Sequence, residues 1–159
     1  MQAEPDGKRS GPHVGSVYWT RGYDALCGPD SMSVALLLIT HECIGTDLLR
    51  ITASILNDDP KNTVCIEIPM DSDTAEMAQV IASAIDSLDT AQGMLMLTDS
   101  FGSTPCNLAA EFLDHQQRAL VSGLNLPMLL RIMNYRQRPL NQLTEIAVEG
   151  GKRGITASS

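Results

Sequence analysis

The chain has 159 residues, of which 43% are hydrophobic and 19% are charged, as is typical of a single folded domain. Its 19 Asp and Glu residues outnumber its 11 Lys and Arg residues, so the formal net charge is −8 at pH 7. An acidic surface repels nucleic-acid phosphates and anionic lipids, which argues against nucleic-acid binding and against a role at a membrane surface. The longest strongly apolar run, residues 34–39, is too short to span a bilayer, so no membrane insertion is expected.

The four cysteines indicate the redox compartment. Cys27, Cys43, Cys65 and Cys106 form no Cys-x-x-Cys pair, and no Cys/His cluster has the spacing of zinc ligands. Reduced thiols, together with an N-terminus that has no apolar block of a secretory signal, predict a cytoplasmic protein.

Residues 1–31 differ in composition from the rest of the chain. They are rich in glycine and proline and show little hydrophobic periodicity, which predicts a flexible N-terminal extension. Regular hydrophobic patterns begin after this segment. We therefore predict one domain over residues 32–155 and a flexible tail over residues 156–159.

Strand and helix patterns alternate through the first half of the domain. Residues 34–39 form a continuous apolar run, as expected of a strand buried on both faces of a parallel sheet. A helix with one apolar face follows and ends before residues 57–60, where Asn, Asp and Pro break it. The alternation over residues 64–68 predicts a half-exposed strand near an edge of the sheet. Asp73 then has the character of a helix N-cap, and apolar residues at helical spacing continue to Leu88.

The second half repeats this alternation. Residues 93–97 predict a third strand, and Thr104 and Pro105 suit the N-cap and the first position of the helix that follows. Residues 119–121 predict a short fourth strand, Pro127 begins another helix, and a last helix ends at two consecutive glycines. Together these elements predict an α/β fold, with a doubly wound, mainly parallel sheet of four or five strands flanked by helices.

Polar loops follow three of the predicted strands, at the edge of the sheet where α/β proteins bind ligands. His41 is the only histidine at the carboxyl end of a predicted strand, and Asp99 follows the third strand. If these two strands are neighbours, Asp99 can accept a hydrogen bond from one ring N–H of His41 and so fix its tautomer. The other ring nitrogen then carries a lone pair and can act as a nucleophile.

The loop after Asp99 has the character of an anion site. The helix that begins at Thr104 directs unpaired N–H groups outward, Gly102 permits close approach of the backbone, and Ser103 and Thr104 add hydroxyls. These features predict a histidine that accepts a phosphoryl group. A second interpretation fits the same spacing, in which His41 is a solvated or structural loop residue and Asp99 only caps a helix.

Three motifs in order extend this interpretation. They are Thr40-His41 after the first strand, LTDSFGSTPCN over residues 97–107 and GLNLPML over residues 123–129. Together they resemble the mannose-type IIA domain of the bacterial phosphotransferase system. YRQRPL over residues 135–140 and GGKRG over residues 150–154 resemble the stand-alone form of this domain found in many proteobacteria.

The resemblance implies a flavodoxin-like doubly wound fold and a homodimer. It implies that His41 accepts a phosphoryl group from the carrier protein HPr and passes it to a IIB partner, while Asp99 holds the histidine by a hydrogen bond. The phosphate-facing loop of the family corresponds to Gly102, Ser103 and Thr104. No cofactor and no metal are implied. The stand-alone form suggests a regulatory branch, in which the phosphorylation state of the protein acts as the signal.

One residue departs from the family pattern. The family usually has glycine after the active histidine, and this chain has Glu42. A carboxylate that points inward would disfavour a phosphoryl group beside it, whereas one in solvent would cost little, and charged residues are rarely buried unpaired. Glu42 therefore motivates an alternative function, a protein-interaction module of the same fold that no longer carries phosphate. The related IIA-like subunit of dihydroxyacetone kinase fits the motifs less well.

Overall fold

The computed structural model describes residues 17–19, 32–113 and 117–159. Its strands are β1 (Val17–Trp19), β2 (Ala35–His41), β3 (Thr63–Ile68), β4 (Met94–Thr98) and β5 (Arg118–Ser122). Its helices are α1 (Ile44–Leu56), α2 (Thr74–Ser87), α3 (Thr104–Ala110), α4 (Leu126–Asn134) and α5 (Leu140–Arg153).

The five strands form one sheet in the order β1-β3-β2-β4-β5. Strands β2 to β5 are parallel, and β1 pairs antiparallel with β3. The chain moves from β2 outward to β3 and then returns past β2 to β4, so the strand order reverses between β2 and β4. This arrangement confirms the predicted doubly wound α/β fold with a mainly parallel sheet, and the order of the parallel strands is that of flavodoxin-like proteins.

Helices cover both faces of the sheet. Helices α1, α4 and α5 pack on one face, and α2 and α3 pack on the other. The central strand β2 shows why its sequence is apolar without interruption. Leu36 and Leu38 contribute to the first layer of the core, whereas Leu37 and Ile39 contribute to the second, and all four are fully buried.

The structure corrects the predicted exposure of β3. All six residues of this strand are buried, although the alternating pattern predicts a half-exposed strand. Strand β1 pairs along Val64–Ile66, and α1 packs on the face that carries Cys65, whose side chain is buried against Gly45. The hydrophobic pattern does not predict β1. This strand lies inside the segment 1–31. The other residues of that segment, for which flexibility is predicted, lie outside the described residues.

Helix ends differ from the sequence prediction in two places. Ser103, not Thr104, is the N-cap of α3. Helix α5 continues through Gly150 and Gly151 to Arg153 instead of ending at the glycines. These glycines lie where α5 contacts α4, and a Cβ atom on Gly150 would lie 2.7 Å from Cγ of Arg131. Glycine is therefore required here for close helix packing and does not end the helix.

Arg136 joins two strands at the amino-terminal edge of the sheet. Its buried guanidinium donates hydrogen bonds of 2.7 to 3.1 Å to the main-chain carbonyls of Val34, Lys61 and Asn62. These carbonyls lie just before β2 and β3. The motif over residues 135–140 thus supplies a charged donor that ties the starts of two neighbouring strands to the end of α4.

Candidate active site

The site lies where the strand order reverses. His41 is the last residue of β2, and Asp99 is the first residue after β4. Strands β2 and β4 are adjacent, with Ile39 opposite Thr98 in register. The two side chains therefore leave the carboxyl edge of the sheet side by side, at the place where ligands bind in such folds.

His41 and Asp99 form a direct hydrogen bond. Nδ1 of His41 lies 2.7 Å from Oδ2 of Asp99, and the main-chain N–H of His41 points at the same oxygen from 3.5 Å. An ionised carboxylate only accepts hydrogen bonds, so in the neutral ring this contact selects the tautomer with its proton on Nδ1 and leaves the lone pair on Nε2. The histidine side chain is 33% exposed, whereas the aspartate is 8% exposed. The ring is thus held from behind by a buried acceptor and is open to an approaching group.

The turn between β2 and α1 accommodates Glu42 without glycine. The positive φ angle of this turn falls on Cys43, at 64°, and Glu42 is not among the described non-glycine residues with positive φ. Both side chains are exposed. The carboxylate of Glu42 therefore lies in solvent, which is the orientation favoured by the cost of burying an unpaired charge.

The loop between β4 and α3, together with the first residue of α3, carries the three residues predicted to face phosphate. Gly102 has a φ angle of 76°, and a Cβ atom there would meet nothing within 4 Å. Glycine is therefore required at position 102 by the positive φ angle, and not by a steric clash with neighbouring atoms. Ser103 donates its hydroxyl to the carbonyl of Ser100 at 2.7 Å, and Thr104 is the exposed first residue of α3. All three lie three to five positions after Asp99, at the carboxyl edge of the sheet.

A buried carboxylate near this edge is not apparent from the sequence. Glu67 of β3 is only 4% exposed, and its Oε1 atom has no hydrogen-bond partner among the described residues. It is opposite Thr40 in register. Burial raises the pKa of the nearby Cys65 thiol to about 12, while a hydrogen bond from Thr46 lowers it and the charge of Glu67 raises it further. Cys65 is therefore a neutral thiol at physiological pH.

Two large apolar side chains stand in solvent at this edge. Met70, in the loop after β3, is 82% exposed, and Phe101, in the loop after β4, is 87% exposed. The acidic side chains of Asp71 and Asp73 are exposed in the same region of the chain as Met70. Each of the two is an apolar residue inside an otherwise polar loop, and this is the signal by which the sequence could have shown them.

Two features are absent from residues 17–19, 32–113 and 117–159. No helix there combines the length and the apolar character needed to cross a membrane. In the same ranges, no group of three His, Cys, Asp or Glu side chains is arranged to hold a metal ion.

The fold and the site define a doubly wound α/β protein with a histidine–carboxylate pair at its switch point. A family model described as "PTS system fructose IIA component" matches residues 35–147, more than half of the chain. The chain therefore belongs to this family of phosphotransferase-system (PTS) IIA components.

Relatives with curated descriptions come from the same system. The "PTS system mannose-specific EIIAB component" of Escherichia coli (strain K12) is 28% identical over 129 residues, which cover 79% of this chain and 40% of that protein. The "PTS system fructose-specific EIIA component" of Bacillus subtilis (strain 168) is 44% identical over 45 residues, or 28% of this chain and 31% of that protein. The matched stretch covers less than half the length of each of these relatives.

Solved structures share the fold. The mannose/sorbose-specific IIA subunit of the phosphotransferase system from Enterococcus faecalis superposes with a TM-score of 0.73 at 21% identity, over 80% of this chain and 96% of that chain. A PTS IIA protein associated with the fucose utilization operon of Streptococcus pneumoniae gives a TM-score of 0.70 at 19% identity, over 79% and 93% of the two chains. At these identities the likeness concerns the fold.

Proposed function

We propose that this protein is a phosphoryl carrier, in which Nε2 of His41 accepts a phosphoryl group from phospho-HPr. The group then passes to a IIB partner, or it remains as a regulatory signal. Membership of the IIA family supports this function. The single observation that carries it is the 2.7 Å contact between His41 Nδ1 and Asp99 Oδ2, because it leaves Nε2 as the free nucleophile of a partly exposed ring.

The proposed reaction is an in-line displacement at phosphorus. The lone pair of Nε2 attacks, a phosphorus–nitrogen bond forms to His41, and the bond between phosphorus and the donor breaks, with its electron pair leaving on the donor. The proton on Nδ1 stays in place. Asp99 offsets the positive charge that develops on the ring, so this chain contributes mainly positioning and charge stabilisation.

The loop after Asp99 is proposed to hold the phosphoryl oxygens. Gly102, Ser103 and Thr104 follow Asp99 at the carboxyl edge of the sheet, and the first N–H groups of a helix have no intrahelical acceptor. The exposed hydroxyl of Thr104 adds a donor. No cofactor or metal is part of this proposal, since the reaction transfers a group from one nucleophile to another.

The proposed partners are proteins in the cytoplasm. Met70 and Phe101 expose apolar surface in loops at the carboxyl edge of the sheet, the edge where His41 lies. HPr as donor and a IIB protein or a regulatory target as acceptor would contact this edge. A homodimer of the domain over residues 32–155 is proposed on the basis of the family. Nucleic acid is not a proposed partner, because the net charge is −8.

Intact-mass measurement of phosphoryl transfer tests the function. Phosphoenolpyruvate, enzyme I and HPr are mixed with the wild type, with His41→Ala and with His115→Ala, which removes another of the three histidines. We expect an acid-labile gain of one phosphoryl group in the wild type and in His115→Ala, and no gain in His41→Ala.

The same assay separates the proposed carrier from an interaction module. A gain in His41→Ala would place the acceptor elsewhere and would contradict the proposal. No gain in the wild type, with a gain in Glu42→Gly, would support the interaction module, with the carboxylate of Glu42 as the obstacle. The exposure of Glu42 favours the carrier.

A further inference from the structure

We propose that Thr40 is a positioning residue, whose buried hydroxyl sets the turn that presents His41 to Asp99. The role in phosphoryl transfer rests on the proposed function, whereas the effect on the orientation of the His41 ring does not. The hydroxyl makes two hydrogen bonds across this turn. Oγ1 of Thr40 donates to the carbonyl of His41 at 3.0 Å and accepts from the N–H of Gly45 at 3.0 Å.

Thr40 provides a hydrogen-bond acceptor for the first turn of α1, which is the usual function of an N-cap side chain. Cys43 is the N-cap of α1, but it has a left-handed backbone conformation and its side chain makes no capping hydrogen bond. The first N–H groups of a helix have no intrahelical partner. Gly45 lies in the first turn of α1, and its N–H is satisfied by Thr40, which belongs to the preceding strand. The start of α1 is thereby tied directly to the end of β2.

Gly45 allows the start of α1 to approach Thr40 of β2 closely. A Cβ atom on Gly45 would lie 2.9 Å from Oγ1 of Thr40 and 2.5 Å from Sγ of Cys65. Both distances are closer than packed heavy atoms tolerate. The absence of a side chain on Gly45 therefore lets α1 begin against β2 and β3, and the Thr40 hydroxyl fits the remaining space.

The turn decides whether His41 can meet its acceptor. His41 belongs to β2, whereas Asp99 follows β4, and 58 positions of sequence separate the two residues. The ring can reach Oδ2 only if the backbone at His41 is held at the correct place and angle. Loss of the Thr40 hydroxyl would leave the N–H of Gly45 without its acceptor in a buried position, which favours a rearranged turn. The His41–Asp99 hydrogen bond would lengthen, and the ring proton would distribute over both nitrogens.

Three variants separate positioning from stability. Thr40→Val removes the hydroxyl at nearly constant volume, and Thr40→Ser keeps it. Thr52→Val is the matched control, because Thr52 is also buried and also uses its hydroxyl on a main-chain carbonyl, that of Leu48 at 2.8 Å, but lies further along α1. The rate of phosphoryl gain from phospho-HPr is followed by intact mass. Nitrogen-15 NMR of the unphosphorylated protein reports the tautomer of His41, which a purely structural role would not change.

We expect Thr40→Val to lower the rate by at least about tenfold, since small displacements of reacting groups cost one to two orders of magnitude. Its His41 signals should move from the Nδ1–H tautomer toward a mixture. Thr40→Ser should stay within roughly threefold of the wild-type rate, and Thr52→Val within roughly twofold, both with the wild-type tautomer. Equal behaviour of Thr40→Val and Thr52→Val in both measurements would overturn the proposal.

The remaining outcomes are also decisive. If the wild type gains no phosphoryl group, the proposed function fails, and the NMR comparison alone decides whether Thr40 positions His41. If Thr40→Val does not fold, Thr40→Ala replaces it. Failure of both variants to fold, while Thr52→Val folds, would overturn the proposal, because Thr40 would then be a folding element.

Discussion

At the scale of single residues, the two carboxylate oxygens of Asp99 have different surroundings. Oδ2 accepts from His41 at 2.7 Å, whereas Oδ1 is buried and has no hydrogen-bond partner in the described part of the chain. The hydrogen bond between the carboxylate and the ring therefore joins Oδ2 to Nδ1 only. Because an ionised carboxylate cannot donate, the direction of this hydrogen bond determines which ring nitrogen of His41 carries the lone pair that the proposed phosphoryl transfer requires.

Replacing Asp99 by its amide tests the direction of that hydrogen bond. In Asp99→Asn the amide can donate to Nδ1, which places the proton of the neutral ring on Nε2 and removes the nucleophile. We expect the rate of phosphoryl gain from phospho-HPr to fall roughly 10²-fold or more, as for loss of a well-placed proton acceptor. Intact mass followed over time measures the rate. Asp89→Asn is the control, because Asp89 lies before β4, at the opposite edge of the sheet, and accepts from the N–H of Ala91 at 3.1 Å, a hydrogen bond that asparagine can also accept. A wild-type rate in Asp99→Asn would contradict the role assigned to Asp99.

At the scale of secondary-structure elements, the α4–α5 contact depends on glycines inside a helix. A Cβ atom on Gly150 would lie 2.7 and 2.8 Å from Cγ and Cβ of Arg131, close to the backbone of α4. On Gly151 it would lie 2.8 Å from Cε of Met128, the flexible end of a side chain. The two neighbouring positions therefore differ in whether the facing atom can move.

The two glycines should respond differently to the same substitution. Alanine is favoured over glycine in a helix by about 1 kcal/mol, but a forced contact in a packed interface costs roughly 1–3 kcal/mol. We expect Gly150→Ala to lower the free energy of unfolding by about 1 kcal/mol, and Gly151→Ala to leave it unchanged or raise it. Urea unfolding measures both. Equal effects at the two positions would show that Arg131 does not limit the approach of α5.

At the scale of the whole molecule, the free energy of unfolding depends on pH through the buried thiol of Cys65 in the sheet. Burial raises the pKa of the Cys65 thiol from its ordinary value of 9.0 to about 12. In the unfolded chain this thiol loses its proton near the ordinary value, whereas in the folded protein it keeps the proton until the raised value. The contribution of Cys65 to stability is therefore complete below pH 9 and is lost as the pH rises toward 12.

Alkaline unfolding measures this contribution. Between about pH 9 and 12, we expect Cys65 to lower the free energy of unfolding by up to about 1.4 kcal/mol per pH unit. Cys65→Ala should show a shallower loss, because alanine has no proton to release. Urea unfolding at several alkaline pH values gives both curves. Parallel curves for wild type and variant would mean that the folded thiol ionises near its ordinary pKa.

Local patterns are sufficient to predict the fold class, and they also single out His41 and Asp99, which the structure brings together at the candidate site. The apolar runs at residues 34–39 and 93–97 correspond to β2 and β4 because a strand covered on both faces tolerates few polar residues. His41 and Asp99 are recognisable because each stands two positions after such a run, and the carboxyl ends of parallel strands meet at one edge. Such patterns involve residues that are close together in the chain, so they can be recognised from the sequence alone.

Only the tertiary structure decided the features that join distant segments. The alternating pattern of β3 conceals a buried Glu67, since burial depends on the elements that the tertiary fold packs around the strand. Arg136 ties strand starts that lie more than 70 residues away in the chain. The distance between His41 and Asp99 depends on β4 returning to lie beside β2. A sequence determines which groups are available, but hydrogen bonds and burial depend on neighbours in space, and those neighbours exist only once the chain has folded.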